Sequence, residues 1–205
     1  MTHNVFGSID GENLVLRFED MVRAGAIPKP GVVYIPGVLV WHPDITHIFM
    51  CQFTRIAFYQ TVVGDSKRVD EVRKVISEVR YDYQESRSVG GRGSLHPKLF
   101  KKEKKGAKTK SVDINIAVDV LRTVMNRNGD VVLLASGDGD YLPLVEEVMR
   151  HGKQVWLCAF SKGLSTNLRF AADDFYDLDS IFFERPNHHM SSDGAASGPA
   201  GYPER

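Results

Sequence analysis

Short, nearly continuous apolar runs, each set off by amphipathic stretches, constrain this chain more than any other feature. Val131 to Ala135 and Gln154 to Phe160 carry almost no polar side chain. A strand that is apolar on both sides has to be covered on both sides, which is the situation of a parallel sheet layered between helices. Val5 to Ile9, Thr54 to Val63 and Phe175 to Leu178 read as further strands, and Ser94 to Lys102 as an extended segment. Helical spacing predicts Glu12 to Ala24, Ser66 to Tyr83, Val112 to Asn128, Tyr141 to His151 and Leu164 to Ala172, with Ser111 as N-cap and Gly129 as stop for the third. The expected fold class is α/β, with a central, mainly parallel sheet.

Two segments fall outside that pattern. Pro28, Pro30, Pro36 and Pro43 make residues 25–50 a proline-rich insert, in which Val38 to Trp41 reads as a short edge strand. Residues 186–205 hold 12 Gly, Ala, Ser or Pro among 20, too little to bury, so a disordered tail is expected after a domain spanning 1–185. His188 and His189 lie in that tail with no other ligand near them in sequence. Gly90-Gly91-Arg92-Gly93 reads as a flexible turn.

Composition excludes several classes. Two cysteines, Cys51 and Cys158, make no disulfide framework and no Cys-x-x-Cys pair. The longest unbroken apolar run, Val155 to Phe160, falls far short of the roughly 20 residues of a membrane span. With no cationic-then-apolar leader, a cytoplasmic protein without a membrane partner is expected. Lysines and arginines balance acids at net charge 0, yet Lys98 to Lys110 holds seven lysines and one acid, so the rest of the chain carries the opposite −6. A solvated loop is the ordinary reading of such a run. A segment that tracks phosphates is the sharper one, with Lys101, Lys102, Lys104 and Lys105 as candidate contacts.

Ligands of parallel α/β sheets bind at the carboxyl ends of the strands. Asp10 follows the first strand in Ile9-Asp10-Gly11-Glu12-Asn13, and Asp138 and Asp140 follow another in Ser136-Gly137-Asp138-Gly139-Asp140. A lone Asp-Gly is most often just a turn. Pro143, fitting best as the first helical residue, leaves Asp138 and Asp140 with no capping task. Asp113 falls on the helical face of Ala117, Val120, Leu121 and Val124, where an acid is costly unless a charge meets it, although its place in the first turn, where the helix dipole favours an anion, is an equal alternative. Asp119 falls on the polar side and reads as solvent-facing or supporting. Too few oxygen ligands precede Tyr141 for an EF-hand, Leu142 stands where a dinucleotide fingerprint needs glycine, and neither a Walker pattern nor a nucleophile elbow is present.

Acids gathered at one sheet edge repel one another unless cations neutralise them, and hard Mg²⁺ or Mn²⁺ does so through oxygen ligands. Beside a lysine-rich loop, that combination suits metal-assisted phosphodiester hydrolysis. Lys110 would meet a phosphate or balance the acids, Asn13 would orient a water or phosphate, and Ser136 would hydrogen-bond a carboxylate.

Ile9-Asp10-Gly11-x-Asn13, Lys110-x-x-Asp113 and Ser136-Gly137-Asp138-Gly139-Asp140-Tyr-x-Pro-Leu together resemble the NYN domain, in the LabA-like (DUF88) branch of the PIN-like nucleases. Gly152-Lys153-x-Val155 and Leu164-Ser165-x-x-Leu168-x-x-x-Ala172-Asp173-x-Phe175 are similar to that branch as well. The resemblance spans about residues 4 to 180. It implies a PIN-like three-layer α/β/α sandwich with the first and fourth core strands adjacent. It also implies a Mg²⁺ site of Asp10, Asp113, Asp138 and Asp140 that cuts RNA. The alternative is a non-catalytic RNA-binding or regulatory module on the same fold. A small-molecule phosphohydrolase ranks last, since a small substrate needs no extended basic track. Exposed edge strands and the insert permit a homodimer.

Overall fold

The computed structural model describes residues 3–102, 111–126 and 129–185. Lys104, Lys105, Lys110 and the tail 186–205 lie outside the described residues. In chain order the first elements are β1 (Asn4–Asp10), α1 (Gly11–Arg23), β2 (Val33–Ile35), β3 (Leu39–Trp41) and α2 (Asp44–His47). The middle of the chain forms β4 (Gln52–Val63), α3 (Ser66–Glu78), β5 (Arg80–Gln84), β6 (Gly90–Ser94), β7 (His96–Lys102) and α4 (Ser111–Met125). The remainder forms β8 (Val131–Ala135), α5 (Leu142–Arg150), β9 (Gln154–Ala159), α6 (Thr166–Ala171), β10 (Asp174–Asp177) and α7 (Asp179–Phe182).

Six strands form one parallel sheet in the order β10-β9-β8-β1-β4-β7. The first strand therefore lies between β4 and β8, and β8 is the fourth strand of this sheet in sequence, as the resemblance implies. Side chains alternate between faces with the strand period of two. Val5 and Ile9 enter a core with Leu14, Phe18, Trp41 and Ile76, while Phe6, Tyr59, Val132 and Leu134 enter a second core with Ile116, Val120, Val145 and Leu168. Helices α1 and α3 thus cover one face and α4, α5 and α6 the other, the three layers of a PIN-like sandwich. Phe18 is 1% exposed and stacks on Phe183 at 5.2 Å; burying such a ring contributes about 1.5–3 kcal/mol.

The proline-rich insert is more ordered than its composition suggests. Pro36-Gly37 forms a turn between β2 and β3, with Gly37 at φ 67° and Val38 N–H donating to the Ile35 carbonyl at 3.0 Å. Glu19 accepts from Gly37 N–H and from the Tyr34 hydroxyl, both at 2.9 Å, and Gln60 donates to the Gly37 carbonyl at 2.8 Å. Leu39, Val40 and Trp41 form the short edge strand expected, one half of a two-stranded ribbon, and are fully buried, so this edge packs into the core.

Two expectations fail together. The helix expected to reach Tyr83 ends at Glu78, and Gly90 to Gly93 form strand instead of a turn: β5 and β6 pair antiparallel, Tyr81 opposite Gly93 and Tyr83 opposite Gly91. A Cβ on either glycine would lie 2.3 Å from the facing tyrosine, so the rings occupy the space the glycines leave free.

Candidate metal-binding site

Asp10 is the last residue of β1 and the N-cap of α1, accepting from Asn13 N–H at 3.0 Å through Oδ1. Its other oxygen accepts from the Ser136 hydroxyl at 2.9 Å and meets the Tyr141 hydroxyl at 3.3 Å. Both partners come from the segment just after β8, the neighbouring strand. That segment is fastened twice more: Asn13 Oδ1 accepts from Gly137 N–H at 3.1 Å, and Ser136 Oγ accepts from Asp138 N–H at 3.2 Å. Asn13 therefore holds two loops together at the carboxyl edge of the sheet.

Asp113 joins through the same phenol, its Oδ1 lying 3.1 Å from the Tyr141 hydroxyl. A phenol has one proton, so it can donate to only one of these acids at a time, and the second contact becomes a hydrogen bond when the carboxyl supplies the proton. The buried face of α4 is Val112, Ile116, Val120 and Val124; Asp113 lies on its margin, half-buried, not among the core positions. Burial and the charges of Asp10 and Asp113 together hold the Tyr141 phenol protonated.

Asp138 does have a helical task, contrary to the sequence expectation. It caps a 3₁₀ turn over Gly139–Tyr141 by accepting from Asp140 N–H at 3.0 Å, and Tyr141, not Leu142, precedes α5. Asp140 is exposed and, with Asp113, borders an open groove of about 650 Å³ between α4 and α5. Asp119 is elsewhere: its Oδ2 accepts from the Tyr59 hydroxyl at 3.0 Å and pairs with Lys98 at 3.1 Å. Lys101 and Lys102 end β7 opposite Val62 and Val63, at the same sheet edge, where Lys102 borders a cleft with Glu12 and Glu19.

Sequence reasoning missed Tyr141 as a functional residue. Its signal was an aromatic residue directly after an acid pair, which reads as apolar bulk until its hydroxyl is seen between two carboxylates.

Asp10 is 3% exposed, and burial pushes its carboxyl up to about 6 against the hydrogen bonds from Asn13 and Ser136; Asp113 and Glu12 add smaller like-charge effects. A carboxyl raised on folding binds its proton more readily in the folded state, so folding is penalised above about pH 6. The penalty is relieved as pH falls toward the ordinary carboxyl value near 3.9. Metal-free protein is therefore expected to gain stability on acidification from pH 7 to 5, read by urea unfolding in EDTA; a monotonic loss over that range would contradict the assignment.

The donor set is all oxygen, and a carboxylate this costly to ionise calls for a cation, which suits a hard divalent ion in chemistry. Among the described residues, no group of three carboxylate, imidazole or thiolate side chains converges into a ready site, so the acids would have to reorient about the ion.

A parallel sheet with this strand order, carrying acids at the carboxyl ends of its central strands, defines a three-layer α/β/α domain with an acidic sheet edge. The chain belongs to the NYN domain family, whose sequence model matches residues 54–179, more than half of the chain; that stretch includes Asp113, Asp138 and Asp140 and begins after Asp10. An uncharacterized protein of Methanocaldococcus jannaschii is 36% identical over 62 residues, 30% of this chain and 26% of that protein. The chain thus matches about a quarter of the length of that curated relative. A solved structure of a protein of unknown function from Vibrio parahaemolyticus superposes with TM-score 0.58 at 18% identity, over 89% of this chain and 97% of that one, a likeness of fold. No helix among the described residues is long and apolar enough to cross a membrane.

Proposed function

We propose that this chain is a metal-dependent ribonuclease of the LabA-like branch, with residues 1–185 as its catalytic domain. The observation that carries the reading is the hydrogen-bonded set Asp10–Ser136–Tyr141–Asp113, which joins two acids through a third segment that also carries Asp138 and Asp140. Asp10, Asp113, Asp138 and Asp140 would hold Mg²⁺ or Mn²⁺. Such an ion would supply Lewis acidity at the phosphate and would help to activate water. Asn13 and Ser136 hold the two acid-bearing loops in register, and Tyr141 keeps Asp10 and Asp113 in contact. The lysines from Lys101 onward would draw in the polyanion. RNA as substrate and two reduced thiols suit a cytoplasmic setting.

The lack of a converged three-ligand group among the described residues favours one second reading, a non-catalytic RNA-binding module. Incubating end-labelled single-stranded RNA with Mn²⁺, Mg²⁺ or EDTA, beside Asp138→Asn, separates the two. Metal-dependent fragments missing from the variant are the expected result; intact RNA that stays bound in every lane would select the module.

A further inference from the structure

The two flanks of α4 differ in charge, and the difference indicates which way a nucleic acid strand runs. Toward α5, the groove beside the acids carries Asp113, Asp140 and Glu147 against Arg150 alone, with an apolar floor that includes Ile114 and Leu121. Toward β7, a smaller cleft of about 130 Å³ carries Arg55, Lys98 and Arg122 against Asp119, and Asp119 is already paired with Lys98. A polyanion is repelled from the first flank and attracted to the second.

The second flank is also continuous with the acids. Asp10 is in register with Tyr59, and Tyr59 with Lys98, so Lys98 stands level with Asp10 two strands away, about 10 Å at ordinary strand spacing. Arg55 is opposite Phe6, four residues further down the sheet, about 13 Å along the strand. Tyr59 ties the two together, its hydroxyl donating to Asp119, which holds Lys98. Partial burial, then the charges of Arg55 and Lys98, push the pKa of His96, two residues before Lys98 on β7, downward against the opposing charge of Asp119. Among the described residues, neither Arg55 nor Arg122 forms an ion pair, and both are exposed.

We propose that the phosphate backbone of single-stranded RNA runs along the β7 flank of α4, from the acids past Lys98 to Arg55 and Arg122. This rests on the ribonuclease reading and adds a path to it.

The test measures binding of a fluorescent 12-nucleotide RNA to the full chain in EDTA, where nothing is cut, across a salt series. The variant Arg55→Gln/Arg122→Gln is compared with Glu147→Gln/Arg150→Gln on the opposite flank; all four side chains sit at the surface, and thermal melts verify folding. The first variant is expected to bind about tenfold more weakly and to lose about 1.4 from the slope of log K against log salt, two contacts at about 0.7 each on a single strand. The second should leave the slope unchanged. Equal slopes for wild type and the first variant, or a reduced slope only in the second, would overturn the path while leaving the ribonuclease reading standing. Failure of the unaltered chain to bind RNA in EDTA would also overturn the path, whereas the ribonuclease reading stands or falls on metal-dependent cleavage.

Discussion

Replacing Asp10 by asparagine is expected to lower RNA cleavage at least about a hundredfold while raising the melting temperature of the metal-free protein by several degrees. On the ribonuclease reading the loss would follow from removing a charged ligand of the proposed ion, since such an ion's stabilisation of the transition state is worth several kcal/mol and each 1.36 kcal/mol is about tenfold in rate. The gain follows from burial. A carboxyl held at about 6 in the folded protein costs roughly 3 kcal/mol at pH 7.5 relative to its ordinary value. Asparagine avoids that cost and keeps the geometry: its oxygen can still accept from Asn13 N–H, while its amide can donate to the Ser136 and Tyr141 hydroxyls, which accept as readily as they donate. Melts in EDTA at pH 7.5 and pH 5 test this. The variant's advantage should shrink at pH 5, where the native carboxyl is protonated; a variant less stable at both pH values would refute the account.

Gly11→Ala is expected to destabilise the fold by about 3 kcal/mol, a drop of about 6–12 °C in melting temperature for a chain of this length. Its Cβ would stand 2.6 Å from the Tyr59 carbonyl and 2.4 Å from the Phe58 ring. Backbone cannot give way as a flexible side chain does, so either α1 lifts or β4 shifts. Asp10 immediately precedes the strained residue and would lose its N-cap bond, so the same variant should also lose cleavage. A melting temperature within a degree of the parent would show that the helix start is looser than this packing implies.

Gly11 also illustrates what the sequence made legible. Asp-Gly after an apolar strand marked the turn and placed the carboxylate at the sheet edge, because the strand period and the turn are local properties. The positions of Asp10, Asp113, Asp138 and Asp140 along their elements were readable in the same way. The contacts that join them were not: Tyr141 lies 131 residues from Asp10, and nothing local says that its hydroxyl ends between two acids. Helical phase set Asp119 apart from the other acids, yet its partners Tyr59 and Lys98 depend on the neighbouring strands. The β5–β6 ribbon was lost because Val69, Val72, Ile76 and Val79 keep helical spacing to the very end of α3. The strand period of Tyr81 and Tyr83 only becomes meaningful once glycines face them. The insert misled through its prolines, which exclude helix but leave open a buried hairpin.

The strand order has a temporal side. β1 is made early but lies between β4 and β8, so half of its backbone has no partner until residues 131–135 exist. Pairings this distant in sequence close slowly. Until then Asp10 lacks Ser136 and Tyr141, and Asn13 has no Gly137 to hold. A partly synthesised or partly unfolded chain therefore carries scattered acids and no assembled centre. Completing the sheet and assembling the acidic site are one event, and the contacts that join Asp10 to Ser136 and Tyr141 exist only in the whole fold.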